Sequence, residues 1–142
     1  SVSLLNLEKH LVQLILSDKE TARAILQKLD PGEFSDPTLR TIAQTCRQKI
    51  DAGEDLKIDQ LLDQTEDPEI KNILSRLGLE SLEFDTPERT IKECVQKFKN
   101  IRLKSKIKDL KLQRLNAANA GQVERSQELG AQLNEMYSAL TH

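Results

Sequence analysis

The side chains in this sequence that could make or break bonds are few and widely spaced. Cys46 and Cys94 stand 48 positions apart with no second cysteine close to either, and the only histidines are His10 and His142. A structural zinc site needs four such ligands at short spacings, so none can be assembled, and the thiols are expected to pack as small buried hydrophobes in a reducing compartment. His10 follows Lys9 on an apolar-periodic run, with no identifiable neighbour to tune it as a general base. Glu66, Asp67 and Glu69 carry enough charge for a hard cation. Directly ahead of another apolar-periodic run, however, they read as a helix start, where acids meet the positive end of the dipole. A Gly-rich phosphate loop, His-Glu-x-x-His, Gly-x-Ser-x-Gly and clustered Asp-x-Asp are all missing. No catalytic residue, metal ligand or cofactor is therefore expected, and the chain reads as non-enzymatic.

The strongest concentration of charge is basic. Between Pro87 and Leu115 ten lysines and arginines stand against three acids, a net +7, while the rest of the chain carries −9 and the whole only −2. Such a run can be a solvated face, a phosphate contact or a protein contact. Phe98 is its one aromatic residue and belongs to a packing stripe, so there is no stacking platform. Nucleic-acid binding is expected to be weak, nonspecific and lost near physiological ionic strength.

The elements that must carry this charge are helical. With 142 residues, 31% of them charged, five Gly, four Pro, and few Val, Phe or Tyr, the composition fits one all-α domain or a small domain with an appendage. No apolar run approaches the ~20 residues of a membrane span and no signal-peptide pattern opens the chain, so a cytoplasmic protein is expected. With Ser rather than Met at position 1, a fragment of a longer protein or a processed chain is the expectation. Leu4, Leu7, Leu11, Leu14 and Ile15 mark a first helix ending near Ser17-Asp18, and Ile25, Leu26 and Leu29 a second before Asp30-Pro31-Gly32. Ser35 or Asp36 caps a third, with Pro37 in its first turn and Gly53 at its end. Ile58 to Leu62 is a short helix, Asp67-Pro68 starts another, and Asp85-Thr86-Pro87-Glu88 starts the longest. That last one runs some 30 residues, roughly 45 Å, before "NAANAG" turns the chain with Gly121 in the left-handed position.

The long helix changes its apolar face partway along. Ile91, Cys94, Val95, Phe98 and Ile101 form one stripe, and Leu103, Ile107 and Leu110 form a second, rotated by roughly 140° at 100° per residue. The second stripe matches Leu129, Leu133, Met136 and Leu140 on the final helix, the seam of an antiparallel pair. The spacing thus predicts an N-terminal helical bundle over residues 1–95, a long connecting helix, and a projecting antiparallel hairpin over residues 96–142. Ile101, Lys108, Leu112 and Leu115 lie on the side away from the seam. Leu112 and Leu115 are then exposed leucines flanked by Lys111 and Arg114, a pattern suited to protein docking. Lys108, Lys111, Leu112, Arg114, Leu115, Val123 and Tyr137 are the candidate partner-binding residues.

The stretch "NLEKHLVQLILSDKETARAILQKLDPGEFSDPTLRTIAQTCRQKIDAGEDLKIDQLL", followed by "ERTIKECVQKFKNIRLKSKIKDLKLQRL" and a last hairpin helix, resembles the C-terminal helicase-binding domain of bacterial DNA primase over nearly the full chain. The resemblance implies a non-catalytic adaptor tethered to a DNA-directed RNA polymerase. It would dock on the N-terminal domain of the hexameric replicative helicase and couple primer synthesis to the replication fork. The hairpin, about Lys104 to Leu140, would be the main docking element, and the bundle would stimulate the helicase. Some primases of this family also receive the acidic tail of single-strand-binding protein through basic residues near the first helix, where this chain offers Lys9 and His10. The alternatives are the N-terminal domain of a replicative helicase, which shares the first half of the pattern, and a nucleic-acid-binding helical hairpin.

Overall fold

A computed structural model describes residues 2–81 and 88–140. Among these residues the fold is all-α, with no strand: α1 Val2–Ser17, α2 Lys19–Lys28, a 3-10 turn Pro31–Glu33, α3 Pro37–Asp51, α4 Ile58–Gln64, α5 Pro68–Ser81, α6 Glu88–Asn119 and α7 Val123–Leu140. The expected start signal Asp85-Thr86-Pro87 lies outside the described residues. The chain divides into two compact units, Ser1–Phe98 and Lys99–His142, so that α6 contributes to both.

In the first unit α1 packs against α2, α3 and α5. Leu11, Val12, Leu14 and Ile15 are essentially inaccessible, as are Ile25 of α2, Leu39, Ala43 and Cys46 of α3, and Leu74 of α5. Several helices begin at a capping carboxylate. The Asp18 carboxylate accepts from the Thr21 N–H and hydroxyl, and the Asp36 carboxylate accepts from the Leu39 N–H at 2.9 Å, with Pro37 supplying the first helical position. Asp67, one of the three carboxylates considered for a cation, accepts from the Glu69 N–H at 2.9 Å and so starts α5. α3 ends in a Schellman arrangement: Glu54 N–H donates to the Lys49 carbonyl, Gly53 N–H to the Ile50 carbonyl, and Gly53 takes φ +76°.

One buried acid organises the turn between the 3-10 segment and α3. Glu8 sits on the apolar face of α1, wholly inaccessible, and accepts from the Ser35 N–H at 2.8 Å, the Ser35 hydroxyl at 2.9 Å and the Asp36 N–H at 3.0 Å. Arg40 completes the accounting from the other side, donating to the Phe34 carbonyl at 2.8 Å and the Ser35 carbonyl at 3.3 Å. With both backbone polarities satisfied, Phe34 is free to enter the core, where its ring meets Phe98 of α6 edge-on at 5.1 Å.

The second unit is α7 beside the later part of α6. Ile107, Ala117, Leu129, Gly130 and Leu133 are buried, with Leu103, Leu110, Met136 and Leu140 half-buried. The turn is shorter than "NAANAG" suggests. Asn116 to Asn119 remain helical, and the reversal is made by Ala120, Gly121 and Gln122: Gln122 N–H donates to the Ala117 carbonyl at 2.8 Å, Gly121 N–H to the Ala118 carbonyl at 3.1 Å, and Gly121 adopts φ +75°. Two alanines offset the weak helix preference of the two asparagines, and the glycine alone sets the end.

Candidate functional site

The side chains singled out for protein docking all belong to the second unit, and the structure gives them unequal surroundings. Leu112 is 59% exposed, Leu115 57%, Val123 65% and Tyr137 41%; among the described residues these are the large apolar side chains that stand in solvent. Lys108, Lys111 and Arg114 are exposed as well.

Four of the seven come together. Lys111, Arg114 and Leu115 of α6 and Tyr137 of α7 line an open groove of about 500 Å³ between the two helices, completed by Ala118, Ser126, Leu133 and Asn134. Lys111, Leu115 and Ala118 reach it because positions 4 and 7 residues on fall within about 40° of the first on a helix. Leu112 lies about 60° farther round α6 than Leu115, and Val123 sits in the first turn of α7; both are outside the groove lining, as is Lys108.

The groove is positively charged with apolar walls. No acidic side chain lines it. The Lys111 ammonium stands over the Tyr137 ring, 5.3 Å from its centre, a cation–π distance that holds the charge at the groove edge. Arg114 is held differently. Its guanidinium lies flat against α7 at Gly130, so close that a Cβ on that glycine would stand 3.1 Å from Cζ and 3.3 and 3.4 Å from the two terminal nitrogens. Among the described residues Arg114 has no carboxylate in ion-pair range. Gly130, Leu133, Ser126 and Asn134 were not among the candidates drawn from the sequence. A glycine in the middle of an otherwise good helix is the one signal that could have pointed there, since it costs about 1 kcal/mol relative to alanine and so implies a packing reason.

The other reactive side chains have structural surroundings. Burial pushes the Cys46 thiol up to about 12, with Lys49 opposing weakly. Cys94 is half-buried rather than buried; its thiol is also raised, by burial first and by Glu93, against Lys97. Neither is poised as a thiolate nucleophile. Among the described residues no three His, Cys, Asp or Glu side chains gather as a metal site, and no helix is long and apolar enough to cross a membrane. A second pocket, between α3, α4 and α5, has an apolar floor of Ile42, Leu61, Ile70 and Leu74 and a rim of Thr41, Thr45, Glu66 and Asp67. Both threonine hydroxyls are engaged with carbonyls one turn earlier on α3. No family model matches this chain, and no curated protein or solved structure matches it.

Proposed function

We propose that this chain is a non-catalytic docking domain of a bacterial DNA primase, binding the N-terminal domain of the hexameric replicative helicase and so keeping primer synthesis at the fork. The observation that carries the reading is the segregation of exposed apolar surface. Among the residues whose surroundings are described, the exposed large apolar side chains, Leu112, Leu115, Val123 and Tyr137, all lie in the second unit, beside exposed cations, and none lies in the first. Apolar anchors ringed by charge exclude water from a small contact, and truncating such an anchor typically costs ~1 to 3 kcal/mol of binding. The resemblance of the helix order and of the quoted stretches to the primase domain supplies the partner.

Co-migration of the chain with the N-terminal domain of a bacterial replicative helicase on a sizing column tests this directly. Replacing both Leu112 and Leu115 by Ala should weaken the complex by about tenfold to a hundredfold while the thermal midpoint of the chain hardly moves. A sharp fall in the midpoint would make the leucines structural. Failure of the unsubstituted chain to co-migrate would remove the helicase as partner.

A further inference from the structure

Resting on that reading, the geometry points to a specific recognition element within the groove: Gly130 is the notch that seats the Arg114 guanidinium as a carboxylate reader, and the groove takes a partner helix that presents an acidic side chain next to an apolar one. Three features carry this. The first is the close approach. The guanidinium lies against Gly130, with Cζ and its two terminal nitrogens 3.1–3.4 Å from where a Cβ would stand, so an alanine there would push the fork outward by a few tenths of an ångström. The second is unused donor capacity. A guanidinium has five N–H groups in a rigid fork shaped for a carboxylate, yet among the described residues no acid pairs with Arg114. The third is charge complementarity: the groove lining holds Lys111 and Arg114 and no acid, around the apolar surfaces of Leu115, Leu133 and Tyr137.

These features select among occupants. A symmetric pairing of this groove with the same groove of a second copy would set like against like, since Lys99 to His142 holds eight basic residues against four acids. A nucleic acid would find the charge but little to stack on, since Tyr137 already carries Lys111 on its face. A helix with a carboxylate and a leucine one turn apart satisfies both the fork and the apolar wall, because residues 3 or 4 apart share a helix face.

The test separates charge from geometry. Arg114→Lys keeps the charge and removes the fork. Gly130→Ala keeps Arg114 and displaces it, and by helix propensity it should leave the chain as stable as before or more so. The probes are two helical peptides with the same leucines, one carrying Glu and the other Gln one turn away, titrated into the isotope-labelled chain and followed by NMR. Only the Glu peptide is expected to shift the Arg114 Nε–H signal, together with Leu115 and Tyr137. Each substitution should weaken that peptide about tenfold with no loss of thermal stability. Equal binding of the two peptides, binding of neither, or an unchanged affinity in Arg114→Lys overturns the inference. The same two variants are then run against the helicase N-terminal domain. If that domain binds and both variants bind as well as the original chain, the docking reading stands and the notch does not. If the Glu peptide is read as expected and the helicase domain fails to bind, the notch stands and the partner is a different acidic helix.

Discussion

Replacing Glu8 with Gln changes one atom's chemistry at a site with no room for error. The two carboxylate oxygens divide their work: one accepts from the Ser35 N–H at 2.8 Å, the other from the Asp36 N–H at 3.0 Å, and the Ser35 hydroxyl reaches both. An amide can present only one oxygen. Its NH2 group must then face a backbone N–H, leaving one buried donor without an acceptor and removing a hydrogen bond to a charged group, a loss of about 2 to 3 kcal/mol. Glu8→Leu leaves both amides unsatisfied and should cost more, about 3 to 5 kcal/mol. Either figure is a large part of the stability of a domain this size. Urea unfolding followed by far-UV circular dichroism measures the effect, with the midpoint shifting at constant slope. The effects of Glu8→Gln and Ser35→Ala should also be non-additive, since the two side chains share one network. A Glu8→Gln protein within about 0.5 kcal/mol of the original would show that the turn satisfies itself in another way and that the carboxylate is dispensable.

The two thiols should differ in reactivity: an aromatic disulfide reagent is expected to label half-buried Cys94 in the native chain and Cys46 only on unfolding, and equal labelling rates would contradict the burial of Cys46. Because the native Cys46 thiol is held near 12 against an ordinary 9.0, the unfolded chain loses that proton first. Stability present below about pH 9 should therefore decline as pH rises from 9 toward 12, more steeply than in Cys46→Ala, as measured by denaturant midpoints across that range. Gly121→Ala should cost about 1 kcal/mol by placing a side chain at φ +75°, with open space around it making the strain purely one of backbone, and a thermal midpoint unchanged from the original would refute the cap assignment.

Local rules made much of the helix order legible in advance. Asp36-Pro37 and Asp67-Pro68 start helices because a short carboxylate and a proline act within one turn, and Gly53 and Gly121 stop them because positive φ is cheap for glycine alone. The exposure of Leu112 and Leu115 was legible by subtraction, once the seam residues at helical spacing had been set aside. Asn116 and Asn119 misled the reading of the turn, since nothing at those positions forbids the helix and the cap lies farther on. Glu8 was unreadable for a different reason: its donors lie 27 and 28 positions along the chain, and only the fold brings them together. Gly130 belongs with it. A glycine in a helix announces that something approaches, but the guanidinium that approaches comes from another helix.

Tyr137 has a spectroscopic consequence. The sequence has no Trp and this single Tyr, so tyrosine emission from the chain originates at one place, the wall of the groove, on the ring that carries the Lys111 ammonium. Any occupant that moves that ammonium or covers the ring must alter the emission, while events among Phe34, Phe98 and the first unit's core contribute no tyrosine signal of their own. The chain therefore carries an intrinsic, label-free optical probe at the groove, and a tryptophan placed on a docking helix would turn it into a short-range energy-transfer donor.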